Sequence, residues 1–135
     1  MMDPKAIVAK MYEAFGKGDV ATILSHVAPD CRWEQWPDNY GQKAGVPWMK
    51  PRRGPQEVGD FFKYLGTLTF HKFDVQNILG HGNQAAGVVN LALQRPGKPI
   101  MEEEEMHLFT FNDKGQVIAF RHYTDTAKAI KYFVD

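Results

Sequence analysis

The chain has 135 residues, 44% of them hydrophobic, which is the size of one domain with enough apolar surface for a core. Sixteen basic and sixteen acidic residues cancel, so nothing in the charge favours nucleic acid or an anionic membrane as a partner. The lone cysteine, Cys31, excludes an internal disulfide and a cysteine metal cage; with no apolar run near the roughly 20 residues of a membrane span and no hydrophobic leader, a cytoplasmic protein is expected.

Asp3-Pro4 reads as an N-cap followed by proline at the first helical position, and Ile7, Met11, Ala14 and Phe15 recur at helical spacing as far as Gly16 and Gly18. Asp19 caps a second short helix through Val20, Ile23, Leu24 and Val27, ending before Pro29. Residues 30–36 alternate as a strand with Cys31, Trp33 and Gln35 on one face, and Pro37 stops it. Between 37 and 53, prolines and glycines are scattered around Tyr40 and Trp48 without a period, which predicts a long insertion loop of the kind that serves as a lid. Gly54-Pro55 opens a third helix with Val58, Phe61, Phe62 and Leu65 on its buried stripe and Gly66 as its stop.

Four strands follow, over 68–78, 84–94, 100–111 and 116–124, joined by hairpin-short connections that favour antiparallel pairing. Thr124 or Asp125 caps a short C-terminal helix through Ala127, Ile130 and Phe133. The pattern predicts one α+β domain over 1–135: a curved mixed, mostly antiparallel sheet wrapped around three N-terminal helices as a cone-shaped barrel, with the 37–53 insertion.

One parity of the third of these strands carries Glu103, Glu105, His107, Phe109 and Phe111, and one parity of the last carries Ile118, Phe120 and His122. Polar groups on faces that are otherwise apolar predict a pocket for a small, mostly apolar molecule. Imidazoles titrate near neutral pH, so His122 is the candidate general acid or base, His107 the group that polarises a carbonyl or orients water, and Glu105 the carboxylate that fixes a tautomer. The competing reading makes both histidines satisfied core residues and Glu102 and Glu104 a solvated strand face. Gln35, Trp33, Tyr12, Phe15, Phe61, Phe109, Phe120 and Trp48 are the candidate ligand contacts. His26, His71, His81, His107 and His122 lack metal-site spacing; Glu105, His107 and His122 are compatible with a facial triad that nothing in the spacing requires, so no metal is expected. No glycine-rich phosphate loop is present, and no cofactor is expected. Outward-facing Val88, Asn90, Ala92, Met106 and Leu108 form a second face that needs a cover.

The runs Met11-Tyr12-Glu13-Ala14-Phe15-Gly16-Lys17-Gly18-Asp19-Val20, Asp30-Cys31-Arg32-Trp33-Glu34, Arg53-Gly54-Pro55-Gln56-Glu57-Val58, Phe109-Thr110-Phe111-Asn112-Asp113-Lys114-Gly115-Gln116-Val117 and Arg121-His122-Tyr123-Thr124-Asp125 resemble a SnoaL-like member of the nuclear transport factor 2 superfamily. The resemblance covers nearly the whole chain outside Pro37–Arg53. It implies the ketosteroid-isomerase-like cone, a homodimer through the convex sheet face, and isomerase, cyclase or hydrolase chemistry without a cofactor, or else non-catalytic binding of a similar small molecule. The isomerase's tyrosine donor falls at Met11, its aspartate base at Gln35 and its protonated aspartic acid at His107, so its own chemistry is not implied. The working acidic group that cyclases and epoxide hydrolases carry on their final strand falls at His122.

Overall fold

The computed structural model describes residues 2–135. Asp3 caps α1 (Pro4–Gly16) by accepting from the Lys5 backbone N–H at 3.1 Å, and the helix buries Val8, Met11 and Ala14. Asp19 caps α2 (Val20–Ser25) through the Thr22 N–H at 3.1 Å. Strand β1 (Val27–Trp33) begins earlier than the alternation predicts, with Val27 and Ala28 already buried, and it ends at Trp33. The stop is a backbone event: Glu34 has φ 65°, a left-handed conformation that costs any residue with a Cβ. That twist breaks the period of two, so Glu34 rather than Gln35 follows Trp33 into the interior.

The 37–53 segment is not a loop lid. It holds α3 (Tyr40–Ala44), capped by the Asn39 side chain and stopped by Gly45, then a 3-10 turn at Pro47–Met49 and β2 (Arg52–Arg53), which pairs antiparallel with β1. Val46, Trp48 and Met49 are buried, so the segment belongs to the core. Helix α4 (Gly54–Leu65) starts where Gly54, at φ 74°, lies so close to the Pro29 carbonyl that a Cβ would meet its oxygen at 2.8 Å.

Strands β3 (Thr69–His81), β4 (Gln84–Gln94), β5 (Met101–Phe111) and β6 (Val117–Tyr123) follow, and α5 (Thr126–Phe133) closes the chain with Asp125 as its cap. In α5 the buried residues are Ala129 and Phe133 while Ala127 is exposed, a one-residue turn from the expected stripe. The sheet order is β2-β1-β6-β5-β4-β3, antiparallel throughout except for the parallel β1–β6 pair. This is the mixed, mostly antiparallel α+β arrangement expected, with α1 and α4 packed on its inner face. On β5 the inward parity is Met101, Glu103, Glu105, His107, Phe109 and Phe111, all buried. On β6 a register shift opposite Thr110/Phe111 turns Val117, and not Ile118, into the core. No described helix is long and apolar enough to cross a membrane.

Candidate active site

Between the sheet's inner face and the helices lies a cavity of about 80 Å³. Its walls are overwhelmingly aromatic, with Phe15, Phe61 and Phe62 from the helices, Phe109 and Phe120 from the sheet, and Trp33 and Trp48. Its polar lining is Tyr12, Glu105, His107 and His122, and among the described residues no lysine or arginine lines it.

The strand register brings the two histidines together. His107 on β5 is paired directly with His122 on β6, and their rings lie 4.9 Å apart, edge to face at 79°. Both are only 6% exposed. On the other side His107 faces Gly87 of β4, where any Cβ would collide with the Tyr12 hydroxyl. The missing side chain makes room for that hydroxyl to reach His107 Nδ1 at 2.8 Å. Glu105 Oε1 lies 3.0 Å from His107 Nε2. A carboxylate only accepts, so Nε2 carries the ring proton and donates it to Glu105, Nδ1 accepts, and the Tyr12 O–H donates. Burial, and secondarily the Glu105 charge, push the Tyr12 hydroxyl well above its ordinary pKa, which keeps it a donor.

His122 is held by a different carboxylate. Glu34, fully buried, places Oε1 in direct contact with His122 Nδ1. The same carboxylate accepts the His122 backbone N–H at 3.1 and 3.2 Å and the Trp36 indole N–H at 3.0 Å. The Glu34 backbone is fixed too, its N–H donating to the Phe120 carbonyl at 2.9 Å and its own carbonyl accepting from the Gln42 side chain. A non-glycine residue held at positive φ by this many bonds is a place where backbone strain serves a site. Burial drives His122 down to about 3. At rest the ring is neutral, and a carboxylate against Nδ1 favours the tautomer with its proton on that nitrogen and the lone pair on Nε2.

Glu103, two residues before Glu105, is 8% exposed, and burial pushes it up to about 7 against the opposing hydrogen bond from Thr124. Glu105, His107 and His122 each offer a ligand atom within 4.8 Å of the others. Ligands of one tetrahedral ion at about 2.1 Å stand about 3.4 Å apart. Both nitrogens of His107 are already bonded, so the cluster as built is a hydrogen-bonded relay wider than a coordination shell.

Of the residues singled out from sequence, Tyr12, Phe15, Trp33, Trp48, Phe61, Glu105, His107, Phe109, Phe120 and His122 all line the cavity. Gln35 does not. It turns to an outer groove with Arg32 and Trp36, and its carbonyl accepts from Arg121 Nε at 2.9 Å. The carboxylate missed from sequence is Glu34, which strand alternation assigns to the opposite face. Met11, Phe62, Phe70, Phe73, Leu91 and Leu93 were also missed as lining.

The model of the SnoaL-like domain matches residues 8–120. The chain belongs to the SnoaL-like family. Among curated protein sequences none matches this SnoaL-like chain. Among solved structures it is similar to a nuclear transport factor 2-like protein of unknown function from Burkholderia pseudomallei, 22% identical with all of both chains covered and a TM-score of 0.80. It is also similar to TerC co-crystallised with polyporic acid, 17% identical, covering 96% of this chain and 99% of that one with a TM-score of 0.76. An LEH-like epoxide hydrolase of Mycobacterium tuberculosis is 17% identical over 96% of this chain and 88% of its own, with a TM-score of 0.70. At these identities the likeness is one of fold.

Proposed function

We propose that this SnoaL-like protein binds a small, mostly apolar carbonyl compound and moves a proton on it without a cofactor, with His122 as the base. The observation that carries the reading is the Glu34–His122 pair opening onto an aromatic cavity. A buried carboxylate on Nδ1 fixes the tautomer whose Nε2 is free, and it stabilises the imidazolium formed when that nitrogen takes a proton. The apolar walls exclude water, so the charge left when a proton is abstracted beside a carbonyl is met by the imidazolium formed on His122. The Tyr12–His107–Glu105 chain is the second polar element, and it fixes the His107 ring and the Tyr12 hydroxyl at the wall of the cavity.

Isomerisation or cyclisation through an enol is the chemistry this base supports. The SnoaL-like fold is compatible with it, since one structural neighbour was crystallised with an organic acid and another is an epoxide hydrolase. The second reading is a binding protein without turnover, favoured by the burial of both imidazoles. Hydrogen–deuterium exchange at the α-carbon of small cyclic ketones, followed by NMR in D2O, separates the two. Wild-type protein is expected to accelerate exchange and His122→Gln to lose about 100-fold or more of that rate. Ketones that raise the melting temperature while wild-type exchange stays at background would leave the binding reading in its place.

The outer sheet face is proposed as a homodimer interface, and the buried, unpaired Cys31, whose thiol burial pushes up to about 12, suits a reducing cytoplasm.

A further inference from the structure

One wall of the cavity is not sealed by core. Most of the lining is buried, but Tyr12 and Phe15 of α1, Phe62 and Leu65 of α4, and Phe70 and Phe73 of β3 are only half-buried. Four of these, Tyr12, Phe15, Phe70 and Phe73, also line a groove of about 590 Å³ between α1 and β3. Their rings form one contiguous set, with centroids 4.8 Å apart for Phe15 and Phe73, 5.5 Å for Phe15 and Phe70, and 5.8 Å for Tyr12 and Phe73. Phe73 links the groove to the polar chain inside, since its ring also lies 6.4 Å from that of His107, inclined by 24°.

The strand that carries two of these rings is the one least held. β3 is an edge of the sheet, bonded only to β4, and its register shifts between Phe70 and Lys72 and again between Val75 and Asn77, on either side of Phe73. Beyond Phe73 the inner side of β3 continues with Val75, opposite the buried Val89, and Ile78, opposite Gly87. Val75 is nonetheless 38% exposed, because the groove and not the core lies over it. The charges at the groove's rim are already answered, with Glu13 paired to Lys17 at 2.8 Å and Lys72 to Asp74 at 3.9 Å, so an uncharged apolar occupant fits. Size points the same way. About 80 Å³ is well below the roughly 300–1,000 Å³ of sites that enclose a whole small-molecule ligand, whereas cavity and groove together fall inside that range.

We propose that the groove between α1 and β3 is the second half of the ligand site. Its ligand is an uncharged ketone whose head occupies the cavity beside His107 and His122 while an apolar tail runs out past Phe73 over Val75 and Ile78, the Phe70 and Phe73 rings turning aside to pass it. The choice of a ketone rests on the proton-transfer reading; the tail subsite is a statement about binding alone.

The test uses the whole chain with cyclohexanone, 4-propylcyclohexanone and 4-pentylcyclohexanone. Titration calorimetry is expected to show affinity rising about two- to threefold per added methylene, as for a chain partly removed from water. Bound 4-pentylcyclohexanone is expected to give intermolecular NOEs from its terminal methyl to the methyls of Val75 and Ile78, and from its ring protons to the His107 ring. Val75→Asp, which sets a charge beside the tail, is expected to remove most of the chain-length gain. The wild-type NOEs decide the matter if that variant fails to fold. Equal affinity across the series overturns the proposal, as does failure of all three ketones to bind. Terminal-methyl NOEs to Ile23 or Leu68, which line the cavity and not the groove, overturn it too. Contacts of Val75 and Ile78 with a second copy, seen in a mixed-label sample without ligand, would give the groove to a dimer and end the tail subsite. Tail contacts without α-deuterium exchange would remove the proton-transfer reading and keep the subsite.

Discussion

Glu34 concentrates the physics of this site in one side chain. Its carboxylate is fully buried, faces His122 Nδ1, and accepts two further N–H groups, one from the His122 backbone and one from the Trp36 indole. Truncation leaves the His122 backbone N–H in a dry interior with nothing to meet it, an orphan that costs about 1–3 kcal/mol, and releases the half-buried Trp36 indole. Relief of the positive φ does not follow, because alanine carries the same Cβ penalty. Glu34→Ala is therefore expected to lower unfolding free energy by about 3 kcal/mol in urea titration with the slope unchanged. Glu34→Gln keeps an acceptor for the backbone N–H and loses the charge, so it is expected to retain most of the stability and lose α-proton exchange. A Glu34→Ala variant within about 0.5 kcal/mol of wild type would show that the carboxylate holds nothing in place.

At the scale of elements, α1 and β4 meet where glycine is the only residue that fits. Gly87 lies opposite His107 in the sheet and beneath the Tyr12 hydroxyl, so a methyl group there must displace Tyr12. Tyr12 is packed against Phe73 at 5.8 Å and Phe109 at 6.0 Å, so its displaced ring has to turn into the space it lines. Gly87→Ala is expected to cost about 1–3 kcal/mol and to break the bond to His107 Nδ1, seen as a changed 15N shift of that nitrogen. An unchanged imidazole spectrum would mean that Tyr12 does not set the tautomer. The same elements show what the sequence makes legible. Strand β5 alternates without interruption because it pairs with β4 from Met101 to Thr110 without a register shift, so Glu105, His107 and Phe109 read correctly as inward. On β6 the phase holds at Phe120 and His122 and slips at Ile118, where a bulge adds a residue. On β1 it slips at Glu34, because a left-handed glutamate leaves no mark in composition, and that single turn hid the carboxylate behind His122. The 37–53 segment hid its structure for another reason. A five-residue helix and a three-residue turn are too short to show a period, and their burial of Val46, Trp48 and Met49 comes from tertiary packing alone.

At the scale of the molecule, the outer face of the sheet is the surface the fold leaves unaccounted for. The registers Val88–Met106–Tyr123 and Ala86–Leu108–Arg121 lay an apolar band across β4, β5 and β6, with Leu79 of β3 beside Ala86. Met106 is 38% exposed, Tyr123 43% and Leu79 50%, a clustering that a monomer's surface rarely carries. Trp36 extends the band, packing on Tyr123 at 5.0 Å with the Arg121 guanidinium 4.6 Å from its ring. Since Trp36 also donates to Glu34, whatever covers this face touches a residue bonded to the carboxylate beside His122. A two-fold pairing of the same band on itself buries it with one self-complementary surface. Sedimentation velocity of the wild-type chain at tens of micromolar is then expected to show a dimer, and Met106→Lys, which sets two like charges near the axis, a monomer with its fold intact. Because the Trp36–Glu34 bond would lose its outer support, the monomeric variant is also expected to bind ketone more weakly than the dimer. A wild-type monomer at that concentration removes the interface, and a Met106→Lys monomer with unchanged ketone affinity removes the link from that interface to Glu34.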